Sequence, residues 1–198
     1  MLSDQTTGSS GPDGRSGKRR GRPIVFLGFM GAGKTKVGRL VAERIGRAFL
    51  DTDDLVEGKA GRPIGEIFAR EGEVVFRRME TEAIAEALSG EPEVIALGGG
   101  ATTREENWDL LRKANALTIY LRAKPETILE RVADHTRRPL LAGLDREGML
   151  EKITGMLGER EPWYLRAELV ISSDNSIDKY GMVDIVIEHL RALGFSWQ

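Results

Sequence analysis

The chain carries one stretch whose residue types and spacing are already a chemistry. Residues 28–35 read Gly-Phe-Met-Gly-Ala-Gly-Lys-Thr, the spacing G-x-x-x-x-G-K-[ST]. Glycines let the backbone wrap a phosphate with its N–H groups turned inward. A helix starting at Lys34 would add positive potential from its N-terminus. Lys34 supplies a mobile charge for the β- and γ-phosphates, and the Thr35 hydroxyl is a Mg²⁺ ligand. The stretch therefore predicts a nucleoside triphosphate site with Mg²⁺. A glycine-rich turn that binds nothing is the plain alternative.

The fate of the γ-phosphate has to come from other residues. A GTPase would need a guanine-reading N-K-x-D stretch, and the sequence has none. At 198 residues the chain is small for a motor. Transfer to a small acceptor needs acceptor-binding groups and a lid against water. Asp51 and Asp53 follow a short apolar run, so two acids would stand at the carboxyl end of a strand, where ligands of open parallel sheets bind. One can hold Mg²⁺ through water; the other can hydrogen-bond or deprotonate an attacking hydroxyl. Helix capping by Asp53 or Asp54 is the bland alternative. Gly98, Gly99 and Gly100 follow another apolar run and would let backbone approach a ligand, or simply make a tight turn. Arg77, with Glu80 three residues on, and Arg138 and Arg160 are the arginines suited to carboxylate and phosphate. Each alone is an ordinary surface charge.

These residues need a frame, and the hydrophobic pattern predicts one. Short apolar runs at 24–29, 48–50, 94–97, 117–121 and 169–171 alternate with amphipathic stretches. The stretches at 34–45, 105–113, 125–132, 147–158 and 178–193 are expected as helices, and 53–88 as several, broken at Gly61-Arg62-Pro63 and at Gly72. Proline at 162 is expected to end the helix that carries Arg160. The fold class that follows is α/β: a central five-stranded parallel sheet covered on both faces. The first 23 residues, with five glycines and a net charge of +3, are expected to be a disordered basic leader before a single domain at 24–198. Arg20-Gly21-Arg22-Pro23 resembles the core of an AT-hook, set against a solvated leader.

Composition closes off other classes. No cysteine means no disulfide scaffold, thiolate catalysis or cysteine zinc site. Two histidines leave little for a histidine metal cage, and a net charge of −2 gives no strong field for nucleic acid or membrane. No apolar run nears the ~18 residues of a membrane span, and no signal peptide is visible, so a cytoplasmic protein is expected. The 24 glycines exceed the usual ~7%, and five fall in the leader and six in the two strand-end loops.

The ordered set of motifs resembles the shikimate kinases. It comprises residues 28–35, Asp51-Thr52-Asp53 with Glu57, Phe76-Arg77-Arg78-Met79-Glu80, Leu97-Gly98-Gly99-Gly100-Ala101, Arg138-Pro139-Leu140-Leu141 and Arg160-Glu161-Pro162-Trp163-Tyr164. The resemblance runs from about Ile24 to Leu193. It implies a P-loop, three-layer kinase with a mobile lid at about 133–146 and an acceptor-binding region at about 52–89. The implied reaction is MgATP-dependent phosphorylation of the shikimate 3-hydroxyl by an expected monomer. By resemblance, Gly31, Ala32, Gly33, Lys34, Thr35 and Lys36 contact ATP, with Arg131 near the adenine. Thr35 and, through water, Asp51 hold Mg²⁺. Asp53 binds the acceptor hydroxyls and is the candidate base. Arg77 and Arg160 clamp the carboxylate, Gly98–Gly100 line the pocket, and Arg138 swings in with the lid. The alternatives are a gluconate- or nucleoside-monophosphate-type kinase, and a kinase-fold regulatory protein whose leader touches DNA.

Overall fold

The structure is a computed structural model that describes residues 21–91, 93–132, 141 and 143–197. Five strands form one wholly parallel sheet: β1 Ile24–Leu27, β2 Phe49–Asp51, β3 Val94–Ala96, β4 Leu117–Arg122 and β5 Leu169–Ser172. Their order is β2-β3-β1-β4-β5. Ile24 to Leu27 are all buried, which is why this strand reads as a continuous apolar run rather than an alternation. Phe26 lies opposite Ala96 on one side and Ile119 on the other.

The described helices are α1 Lys34–Ile45, α2 Thr52–Ala60, α3 Ile64–Ser89, α4 Glu105–Lys113, α5 Pro125–Val132, α6 Arg146–Tyr164 and α7 Lys179–Ala192. α1 packs on α7, α5 on α6, and α2 on α3. Gly46 ends α1 in the left-handed region, at φ 67°. α3 is broken at Gly72, whose φ of 80° and ψ of 173° are not helical, as the sequence predicts. The main core surrounds the sheet. A separate small cluster of Val56, Ile67, Phe76 and Ala83 joins α2 to α3.

The strand order positions the site. β2, β3 and β1 are neighbours, so their carboxyl ends bring together the acid pair, the glycine run and the phosphate loop, which are far apart in sequence.

Three expectations need correction. Pro162 does not end α6: the helix runs on to Tyr164, because the proline is exposed and the carbonyl it would leave unpaired, on Gly158, also faces solvent. β2 starts one residue later than predicted and takes in Asp51. Arg22, placed in the leader, is tied to the body. Its Nε donates to the Asn115 carbonyl at 2.9 Å and its guanidinium pairs with Glu168. The Pro23 carbonyl accepts from the Leu117 N–H at 2.8 Å. Residues 1–20, including Arg20, lie outside the described residues.

Candidate active site

The phosphate loop leaves β1 and enters α1 through glycines in the left-handed region, with φ of 136° at Gly28, 76° at Gly31 and 98° at Gly33. Lys34 is buried, and its Nζ donates to the carbonyls of Gly28 and Phe29 at 2.9 and 3.1 Å. The ammonium is thus held over the loop. Thr35 and Lys36 are exposed at the start of α1. The Thr35 hydroxyl donates to Asp51 Oδ2 at 2.7 Å.

Asp51 proves to be the cap of α2: its Oδ1 accepts the Asp53 N–H at 3.0 Å. Capping was expected of Asp53 or Asp54. Because Asp51 caps, the Asp53 side chain is left to the site. Burial, then the Asp51 charge, raises the Asp53 carboxyl to about 6, with Glu80 and Glu57 adding to the shift and Lys34 opposing it. Glu57 instead closes the next helix start, accepting the Ile64 N–H at 2.8 Å.

The glycine run after β3 forms a wall of bare backbone beside these acids. A Cβ added to Gly98 would lie 2.6 Å from Asp53 Oδ1 and 2.8 Å from Glu80 Oε1. One added to Gly100 would lie 2.6 Å from Arg77 Nη1. One added to Gly99 would lie 3.3 Å from the Met30 nitrogen, so the wall also abuts the phosphate loop. Gly98 and Gly100 thus stand against side chains with no room for a Cβ, and the same run also turns, the Ala101 N–H donating to the Gly98 carbonyl at 3.1 Å.

Arg77 is held by two carboxylates. Its Nη1 donates to Glu80 Oε2 at 2.9 Å, and its Nη2 to Glu73 Oε1 at 3.1 Å. Glu80 is 1% exposed. Burial pushes its carboxyl up, against the pull of Arg77, Arg104 and Arg160. Arg160, from α6, lies over the Phe29 ring at 5.5 Å and reaches the Gly99 carbonyl at 3.4 Å. One locus thus gathers Lys34, Asp53, Gly98–Gly100, Arg77 and Arg160. Arg78, adjacent to Arg77, is exposed and pairs with Glu82.

An open cleft of about 1140 Å³ leads away from the phosphate loop between α1 and the start of α7. Arg131 frames it. Its Nη1 donates to the Gly31 carbonyl at 3.3 Å and to Ser173 Oγ at 3.0 Å, and its Nε to Asn175 Oδ1 at 3.0 Å. Lys36 and Ile177 line the same cleft. Arg138 and most of the expected lid lie outside the described residues.

Three supporting residues carried no role in the sequence reading. The buried Thr52 hydroxyl accepts the Gly98 N–H at 3.0 Å. Ser173 Oγ donates to the Ala32 carbonyl at 2.9 Å. Tyr164 donates to the Gly99 carbonyl. Thr52 and Tyr164 lie inside motifs, but their partners are 46 and 65 residues away and no local spacing reveals them.

A buried loop lysine, an acid pair and a glycine wall backed by arginines, all at the carboxyl edge of this sheet, define a phosphate-loop kinase of small molecules. Residues 30–191 match the family model described as shikimate kinase. The chain is 46% identical over 172 residues to the shikimate kinase of Symbiobacterium thermophilum, a span of 86% of this chain and 95% of that one. It belongs to the shikimate kinase family. A solved shikimate kinase from Acinetobacter baumannii, in complex with shikimate, has a TM-score of 0.81 at 35% identity, covering 89% of this chain and 97% of its own. Another, from Bacteroides thetaiotaomicron, has a TM-score of 0.81 at 28% identity, covering 88% of this chain and 99% of its own. A gluconokinase from Sinorhizobium meliloti has a TM-score of 0.55 at 18% identity, covering 89% of this chain and 95% of its own, a likeness of fold alone.

Proposed function

We propose that the chain transfers the γ-phosphoryl group of ATP to the 3-hydroxyl of shikimate, with the work divided among residues on three neighbouring strand ends. The observation that carries this reading is the acceptor pocket. Its wall is bare backbone at Gly98 and Gly100, and against it stand a carboxylate from Asp53 and a guanidinium from Arg77. A pocket so built suits a small polyol that also bears a carboxylate.

A loose phosphoryl-transfer transition state needs positioning and charge neutralisation more than covalent help. Arg77 and Arg160 clamp the acceptor carboxylate, and an acceptor without one would leave two cations unpaired. Asp53 accepts a hydrogen bond from the attacking hydroxyl and takes its proton as the oxygen becomes an ester. Lys34 holds the β- and γ-phosphates, and Arg131 braces the loop beneath the adenine side. Arg138 keeps the lid role that the resemblance gives it.

The Thr35 hydroxyl and the Asp51 carboxylate are hard oxygens 2.7 Å apart at the loop. That pair fits Mg²⁺, which takes one or two protein oxygens together with phosphate and water. When bound, Mg²⁺ supplies charge neutralisation at the phosphate oxygens. Asp51 through water and Thr35 directly are the residues that would hold it.

The same reading has the protein act as a cytoplasmic monomer. No described helix is long and apolar enough to cross a membrane. Against the DNA-touching alternative stands Arg22, whose guanidinium is engaged by Glu168. The test is ADP release coupled to an indicator reaction, with shikimate as acceptor and gluconate as control. Shikimate-dependent ADP release at millimolar acceptor is the expected result. Equal rates with both acceptors, or none with shikimate, would refute the reading.

A further inference from the structure

Arg160 and Tyr164 sit one turn apart on α6 and reach the same atom, the Gly99 carbonyl oxygen. The two bonds are unequal. Tyr164 makes the short one, and Arg160 Nη1 stands off at 3.4 Å. Tyr164 is fully buried, with its ring 5.1 Å from that of Tyr120. Burial pushes its hydroxyl up to about 12, against the charge of Arg160 and a hydrogen bond with that side chain, so it keeps its proton at neutral pH and stays a donor.

The Gly99 carbonyl belongs to the seam between acceptor wall and phosphate loop, where a carbonyl left without a donor is destabilising. Arg160 has another use for its donors. A guanidinium binds a carboxylate best when two N–H groups face it together, and a nitrogen bound to Gly99 cannot join that fork at full strength. We propose that Tyr164 is a positioning residue: by satisfying the Gly99 carbonyl itself, its hydroxyl frees Arg160 to turn to the substrate carboxylate. This rests on the assignment of Arg160 as a carboxylate clamp.

Tyr164→Phe removes the hydroxyl and keeps the ring that packs on Tyr120. Arg160 then becomes the remaining side-chain donor to Gly99 and is drawn away from substrate. The test compares the native chain, Tyr164→Phe, Arg160→Met and the double variant in steady-state kinetics. Tyr164→Phe alone is expected to raise the shikimate KM about tenfold, leaving the ATP KM unchanged and kcat within about threefold. In the Arg160→Met background the same change is expected to add less than about twofold, because the residue it acts through is gone. The rise in melting midpoint produced by shikimate reads the same comparison without turnover. Equal factors in both backgrounds, or an unchanged KM in the single variant, would overturn the proposal while leaving the clamp standing. An unchanged shikimate KM in Arg160→Met would overturn the clamp, and the proposal with it.

Discussion

Gly100 and Arg77 are fitted so closely that a single methyl group on the glycine would lie 2.6 Å from the arginine's Nη1. The arginine cannot simply step aside, because Glu80 and Glu73 hold it. Gly100 itself has φ −102° and ψ −8°, a conformation open to any residue. Gly100→Ala should therefore displace the guanidinium. We expect the shikimate KM to rise about tenfold or more and the melting midpoint to fall, with the ATP KM little changed. An unaltered shikimate KM would show that Arg77 does not face the acceptor.

Asp53 links activity and stability with opposite signs. Burial and the Asp51 charge hold its folded-state carboxyl up at about 6, against an ordinary 3.8. The folded state therefore binds this proton more tightly, and the group's contribution to stability is lost as pH rises through that window. Asp53→Asn should stabilise the ligand-free protein at pH 7–8, on the order of 1–2 kcal/mol, with the gain shrinking as pH falls from 6 toward 4. The same variant should lose about 10²–10⁴ in kcat. In the native chain kcat/KM for shikimate should fall below about pH 6 as Asp53 takes up its proton. Melting curves at several pH values and a pH–rate profile check both sides.

Arg77→Ala would leave the Glu80 carboxylate buried without its closest cation. Breaking such a pair on one side is expected to lower stability by about 3 kcal/mol at neutral pH. Acceptor binding should weaken as well, seen as a raised shikimate KM. Arg77→Ala together with Glu80→Gln should recover part of the stability and none of the acceptor affinity. Urea unfolding and kinetics on the two variants measure this.

The nucleotide side should respond to different changes. Lys34→Ala removes the charge held over the phosphate loop and is expected to abolish turnover with the fold intact. Arg131→Ala removes the brace between the Gly31 carbonyl and Asn175, and should raise the ATP KM about tenfold with the shikimate KM within about twofold. A rise in both constants would place Arg131 at the acceptor instead.

Much of this arrangement is legible in the residues because it depends on local rules. The helices at 105–113 and 125–132 coincide with their periodic stretches, and the break at Gly72 follows from a glycine inside a helical pattern. Other features depend on what lies across the fold. Pro162 reads as a helix end until its exposure is known. Asp51 and Asp53 look like equivalent acids until one is seen capping α2 and the other half-buried with its carboxyl pushed up to about 6. The glycine run reads as a turn or a wall, and the packing of Asp53 and Arg77 against it comes from other elements and leaves no local signal.

The second apolar cluster has a consequence for how the molecule breathes. Val56, Ile67, Phe76 and Ala83 hold α2 against α3 apart from the main core, and Gly72 interrupts the backbone between their two halves. Such a piece can open as its own cooperative unit at a lower free energy than global unfolding. Amide hydrogen exchange would then be faster across 53–71 than in β1 and β4, and an acceptor spanning Asp53 and Arg77 would slow it. Substrate, on this view, completes the folding of the part that recognises it, while the nucleotide half stays rigid throughout.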